Sequence, residues 1–307
     1  MPGYILRRVV AAIPIGLIVT FGVFALVFLM PGDPIRALGG DKPLSPTVMA
    51  AKRAQFHLDD PFIVQYLLMM KDTFTGHFGT TFAGADIGEQ LKLRIPVTVQ
   101  LALLANFFQW TTGLLFGIYA GFRRNRAVDR LLLLATLVIL AIPSLVSTFA
   151  AQYIFGVKLK WLPVSGTLQG FPVSYILPAA VIGLLGFAGL ARLMRTSIVE
   201  TVNADFVKTA RAKGVSERRI LWRHVLPNAL LPVVTFIGLD LAGIFAGAII
   251  TESIFNLPGL GQFLFQSIRM KEGGVVVILS TLAFVSFIVI NLIVDLLYGV
   301  LDPRVRA

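Results

Sequence analysis

Asp240 is the residue whose type and position most demand a chemical explanation. It is the single charge in the apolar run from Ala229 to Thr251. A carboxylate at such a depth in a bilayer is costly and marks a functional suspect. Either it faces a water-filled path, where it attracts an ammonium group, or it joins a neighbouring helix by a hydrogen bond, its carboxyl kept protonated by burial. Asn106 and Gln109 in the run 97–121, and Asn291 in the run 275–294, are further intramembrane polar side chains suited to bonds between helices. Glu252 and Asp295 stand at run ends, where a carboxylate reaches water. Covalent and hydrolytic chemistry finds no such foothold. The chain has no cysteine, which excludes disulfides, thiolate metal sites and cysteine nucleophiles. It has no G-x-x-x-x-G-K-[ST], so it cannot hold ATP in the P-loop manner, and no G-x-S-x-G or H-E-x-x-H. Its three histidines, His57, His77 and His224, are scattered, and no metal site is expected. The chain does not read as an enzyme.

The second distinctive cluster is basic. From Arg195 to Pro227 there are ten charged residues, seven of them basic, between two apolar runs. The pattern is helix, break, helix. Val202, Phe206 and Ala210 recur at i, i+4 and i+8, giving one apolar stripe. Gly214 supplies a left-handed stop, and Ser216 with Glu217 can cap a second helix. An amphipathic helix with basic flanks, held outside the bilayer, is suited to docking. A solvated loop held near anionic lipid is the plainer alternative.

These residues need membrane-spanning elements to position them. With 56% hydrophobic and 14% charged residues, the chain is too apolar for an ordinary soluble protein. Val9 to Met30 is 22 residues without a charge, about 33 Å as a helix and enough to cross a bilayer. Further runs are 97–121, 131–155, 171–191, 229–251 and 275–294, so six transmembrane helices are expected. Pro143 should kink or break the third. In the fifth, Gly238, Ala242, Gly243, Ala246 and Gly247 have the spacing that lets helices approach closely. With the N-terminus inside, the inner segments hold 16 basic and five acidic residues, whereas the outer loop 31–96 holds seven of each. The net charge of +11 is therefore the positive-inside bias, both termini are placed in the cytoplasm, and no nucleic acid is needed to explain it. In the outer loop, 47–56 is weakly helical. Asp60-Pro61 starts a stronger helix with Phe62, Tyr66, Met69 and Met70 on one face, lying on the membrane surface or packed on the spans. Trp161 suits an outer-face turn at the headgroup level. The division expected is a first span (1–30), an extracytoplasmic loop (31–96) and a core of five spans (97–307) that includes the loop 195–228.

Ala210, Gly214 and Leu226-Pro227 resemble the "EAA" loop of permease subunits in ATP-binding-cassette importers, with Lys208-Thr209-Ala210 where that motif has Glu-Ala-Ala. ARAKG-x-SERR, MPGDP, HLDDPFIVQYL with GHFGTTF, AIPSLVS, WLPVSG, FNLPGLGQFL and DLLYGVLDPR are similar to the dipeptide/oligopeptide permeases, so the resemblance spans nearly the whole chain. Lys271-Glu272-Gly273-Gly274 departs from that family's DYP-like turn. The resemblance implies a type I importer permease in a prokaryotic plasma membrane. It further implies a second homologous permease, two ATPase subunits carrying ATP and Mg, and an extracytoplasmic peptide-binding protein. No cofactor is expected in this chain. The coupling helix that docks on an ATPase would comprise Asp205, Phe206, Thr209, Ala210, Arg211, Ala212, Lys213, Gly214 and Val215, and Asp240, Asn106 and Gln109 become candidates for the translocation path. A nickel or glutathione permease of the same family would look much alike. An ion-coupled secondary carrier would show coupling charges and an inverted repeat of broken helices.

Overall fold

The apolar runs and the residues that break them set the elements. The computed structural model describes residues 2–29, 45–55 and 57–301, with side chains described for these apart from 2–9, 52, 55, 239, 242–247 and 295–301. Regular structure among the described residues is helical. The helices are α1 (Pro2–Phe28), α2 (Pro46–Gln55), α3 (Phe62–Thr75), α4 (Ile87–Phe122), α5 (Ala127–Ala141), α6 (Ser144–Ala151), α7 (Val173–Val202), α8 (Asp205–Ala212), α9 (Glu217–Ile220), α10 (Leu226–Ala229), α11 (Leu231–Ile254), α12 (Leu260–Arg269) and α13 (Gly273–Leu301). Five helical stretches are long and apolar enough to cross a membrane, and a sixth crossing results if α5 and the stretch Ser144–Lys158 form one broken span. That break is a 99° bend at Ile142-Pro143. Pro143 lacks the N–H that would continue the helix and its ring obstructs the preceding turn.

Hydropathy alone misplaces one start. α4 begins ten residues before the run 97–121 and carries Pro96 inside it. The Asp86 carboxylate accepts the Glu89 N–H at 2.8 Å, and Glu89 lies in the first turn. A side-chain cap and a favourable charge at the helix start therefore decide the boundary.

The chain divides into two compact units. The first comprises residues 1–98 and 258–292. There the outer-loop helix α3 packs on spans, its Tyr66 and Met70 buried with Phe24 of α1 and Val277 of α13. The Tyr66 hydroxyl also bonds Thr20 Oγ1 at 2.8 Å. Phe263 of α12 is buried with Ile87, Leu91, Val275 and Ile278. A cavity of about 910 Å³ opens in this unit, with Asp72, His57, His77 and Glu272 among its lining. His57 Nδ1 lies 3.0 Å from Asp60 and His77 Nδ1 lies 3.0 Å from the Thr75 hydroxyl. Glu272 is buried, and that burial raises its carboxyl above the usual range, opposed by a hydrogen bond from the Phe82 backbone.

The second unit comprises residues 99–257 and 293–307. Its centre is α7, against which α5 and α11 pack. Gly113, Gly117 and Gly121 of α4 recur every four residues toward α7. A Cβ on Gly117 would stand 2.7 Å from both the Ala191 carbonyl oxygen and Met194 Cβ. The close helix approach sought in the fifth span is thus also made by α4, where GLLFGIYAG carries the same spacing. Of the fifth-span set, Gly238 meets Val294. Ala242, Gly243, Ala246 and Gly247 fall outside the described side chains, as does Asp295.

Glu252 corrects an expectation. It does not reach water but is fully buried. The helix α11 runs past Thr251 to Ile254, and the turn holding buried Phe255 and Leu257 folds back, with Leu257 N–H donating to the Glu252 carbonyl at 2.8 Å. Asn291 donates its amide to the Phe287 carbonyl of its own helix at 2.9 Å and makes no bond to another helix among the described residues.

Candidate functional site

The docking-type loop is built from the end of α7. Helical backbone stops where Asn203 and Ala204 N–H groups turn back onto the Glu200 and Thr201 carbonyls. Ala204 is extended, and Asp205 starts α8 with a negative charge at the helix N-terminus. Lys208 Nζ lies 2.8 Å from Asp205 Oδ1, and that hydrogen bond holds the exposed Asp205 carboxyl below its ordinary range. Gly214 has φ of +75°, and a Cβ there would meet nothing within 4 Å. The glycine is needed for its left-handed backbone rather than for space. Across this turn Arg211 Nε donates to Glu217 Oε1 at 2.7 Å and its second nitrogen to Oε2 at 3.2 Å. This forked bond raises the Arg211 guanidinium further and staples α8 to α9. Ser216 is extended and precedes Glu217 as expected, but its hydroxyl makes no capping bond.

The face of α8 differs from the expected stripe. Val207 and Ala210 are buried, with Leu190, Met194, Ile198, Ile220 and Val225 around them. Phe206 instead points outward and is 45% exposed. Spacing of i and i+3 seats the helix, and of the expected stripe Val202 and Ala210 pack on this cluster while Phe206 does not. Of the expected docking residues, Ala210 and half-buried Val215 anchor the segment. Asp205, Phe206, Thr209, Arg211, Ala212, Lys213 and Gly214 all lie exposed. The outcome is a rigidly seated helix that presents one phenylalanine among charged and small side chains. Such a surface suits insertion into a groove.

The intramembrane candidates do converge. Gln109 of α4 is 1% exposed and donates its side-chain amide to the Asp240 carboxylate of α11. The two residues are 131 positions apart in the chain. Gly183 and Gly186 of α7 make room for this contact, and any Cβ on Gly186 would collide with the Gln109 carboxamide. Asn106, one turn earlier on α4, donates to the Ala102 carbonyl at 3.0 Å, and its buried Oδ1 has no partner among the described residues. Asp240 as a residue is half-buried. The arrangement can bind a hydrogen-bond donor or cation at that carboxylate. It holds no nucleophile–base pair.

A further pair escaped the sequence reading. Asp129 of α5 is 2% exposed and accepts a forked bond from Arg195 of α7, at 2.6 and 2.8 Å. Its second oxygen also accepts the Asn125 N–H at 2.8 Å. Arg192 Nε donates to the Thr136 hydroxyl at 2.7 Å. The inner ends of α5 and α7 are locked together just before α7 leads into α8. The available signal was Asp129 itself, the one acid in the basic inner segment 123–130.

Comparisons with known proteins bear on the whole chain. Residues 113–307 match the family described as binding-protein-dependent transport system inner membrane component, and residues 1–102 match the N-terminal region of such membrane components. An oligopeptide transport system permease protein of Haemophilus influenzae is 34% identical over 306 residues, covering 99% of each chain. A glutathione transport system permease protein of Salmonella typhimurium is 36% identical, covering 100% of this chain and 99% of its own. A putative peptide transport system permease protein of Brucella abortus is 35% identical over 315 residues. Among solved structures, a chain of the MetNI methionine ABC transporter in an inward-facing conformation has a TM-score of 0.57 at 17% identity, covering 70% of this chain and 98% of that one. A chain of an amino acid ABC transporter has a TM-score of 0.52 at the same identity. At that distance the likeness is one of fold.

Proposed function

The chain belongs to the family of binding-protein-dependent transport system inner membrane components and is a permease subunit of an ATP-driven importer, a multi-pass protein of the plasma membrane; from that premise we propose that it forms half of a path for dipeptides or oligopeptides. The observation that carries the coupling part is α8, seated by Val207 and Ala210 and presenting Phe206, Thr209 and Lys213 outward. The peptide assignment rests on the names of relatives matched end to end, glutathione itself being a tripeptide.

In this reading two ATPase subunits hold ATP and Mg, a second homologous permease completes the path, and an external binding protein delivers peptide. Nucleotide binding supplies the free-energy difference between two states of the machine, because a ligand shifts an equilibrium only by its differential affinity. Movement of an ATPase is received at α8. The Arg211–Glu217 bond passes it to α9, and Val207 and Ala210 pass it to the end of α7. The Asp129–Arg195 pair carries it on to α5. Access then alternates by rigid-body displacement. Asp240, held by Gln109, offers a carboxylate for the peptide ammonium.

Purification of the assembled importer in gentle detergent tests this. Stoichiometric P-loop ATPases and a second permease are expected with the wild-type chain. Gly214→Pro cannot adopt the φ of +75°, and with Phe206→Ala it should lose the ATPases while inserting normally. Normal peptide uptake in Gly214→Pro would refute the docking assignment, and uptake that survives ATP depletion would refute the importer mechanism.

A further inference from the structure

Just beyond the α8 turn, the chain presents a second exposed surface. Residues 217–225 form one amphipathic helical stretch, α9 followed by a π-helical continuation through Leu221–Val225. Ile220 and Val225 are buried in the core that seats α8, whereas Arg218, Arg219, Trp222 and Arg223 are all exposed. Trp222 is 67% exposed, the side chain of a large aromatic left outside at this point of the chain. Arg218 and Arg219 precede it by four and three residues and so share its face. Together with Ser216 they line a shallow depression that is open to the surroundings. Arg211 is neutralised by Glu217, but Arg218, Arg219 and Arg223 have no acidic partner among the described residues. The stretch opens the membrane-crossing candidate Glu217–Gly238.

We propose that Ser216, Arg218, Arg219 and Trp222 form a binding site for the phosphodiester headgroup of an anionic phospholipid in the inner leaflet. This rests on the orientation of the preceding section, with α8 on the cytoplasmic side. The guanidinium groups and the indole N–H donate to phosphate oxygens, and the ring lies at the boundary of the acyl region, where tryptophan is favoured. With Glu217 taken up by Arg211, these two arginines leave an excess of positive charge after one phosphodiester. A choline headgroup would add a further cation, so the site selects a net-anionic lipid over a zwitterionic one. The four residues between Gly214 and Arg219 are short enough that the lipid steadies the coupling helix through the Arg211–Glu217 staple.

The test uses the intact importer, wild type and Arg218→Gln/Arg219→Gln, titrated with phosphatidylglycerol or acyl-matched phosphatidylcholine and read by native mass spectrometry. The mass identifies the assembly, so failure of the importer to assemble is distinguished from failure to hold lipid. Phosphatidylglycerol is expected to bind the wild type in preference to phosphatidylcholine. Each lost arginine weakens binding about fivefold, so the double variant binds about 25-fold more weakly. Arg124→Gln/Arg126→Gln, which removes two other exposed inner arginines, is expected to leave that binding unchanged. Trp222→Ala weakens it and Trp222→Phe partly restores it. The proposal is overturned by equal retention of the two lipids, or by an equal loss in the Arg124/Arg126 control. Displacement by millimolar inorganic phosphate would make it a free-anion site, and loss of the ATPases from the Arg218/Arg219 variant would give those arginines to the partner instead.

Discussion

At the scale of single residues, contacts decide which glycines and acids are indispensable. Gly117 sits where a methyl group would press on the Ala191 carbonyl and Met194 Cβ, both at 2.7 Å and neither at the end of a flexible side chain. Gly117→Ala should therefore cost about 1–3 kcal/mol, seen as a lower unfolding temperature of the purified protein. Glu272 carries the pH argument. Its carboxyl is raised by burial, so the folded state binds the proton more tightly than the unfolded state does. Such a group contributes its full stability below the unfolded value, near 4.5, and that contribution is lost as pH rises through the folded value. Glu272→Gln removes the buried charge while its amide oxygen still accepts from the Phe82 N–H. It should raise the unfolding temperature at pH 7 and leave it unchanged or lower at pH 4. A gain of equal size at both pH values would show that the charge is not the cause. Neither residue was legible beforehand. Glu272 reads as a turn acid, and only the fold of 268–278 against the Phe82 segment buries it.

At the scale of elements, helices and breaks were largely legible because their causes are local. Pro143 breaks the third span, Gly214 is left-handed, and Asp60-Pro61 precedes α3. What periodicity could not settle is which side of a helix finds a neighbour. The stripe Val202, Phe206, Ala210 runs through the break at 203–204, where extended Ala204 shifts the phase, so Val202 and Ala210 still face the core but Val207 takes the place expected of Phe206. Pairings such as Gln109 with Asp240 or Asp129 with Arg195 join positions 131 and 66 apart, which local pattern does not encode. The second pair yields an element-level prediction. Asp129→Asn leaves the Arg195 guanidinium, 18% exposed, without its counter-charge and should destabilise the α5–α7 junction by about 3 kcal/mol. The double variant Asp129→Leu/Arg195→Met should recover most of that loss. If the pair also carries motion from α8, the recovered variant still hydrolyses ATP in the assembled importer with less peptide moved per ATP. Unchanged coupling in that variant would reduce the pair to a structural clamp.

At the scale of the whole molecule, orientation follows from a count that no single residue carries. Sixteen basic residues against five acidic ones fall in the segments assigned to the inside, and the outer loop 31–96 is neutral. This field opposes translocation of the basic loops and so fixes which face the α8 loop meets. The absence of cysteine makes the assignment directly measurable, because each introduced thiol is unique in the chain. Leu168 is fully exposed in the turn after Trp161, and Arg124 is exposed between α4 and α5. Leu168→Cys should react with a membrane-impermeant maleimide on intact spheroplasts, whereas Arg124→Cys and Lys213→Cys should react only once the membrane is opened. The reverse pattern would put α8 outside, away from any cytoplasmic ATPase, and the docking role would fail with it. Protection of Lys213→Cys in opened membranes, relieved when the ATPases are stripped away, would place the same surface under its partner.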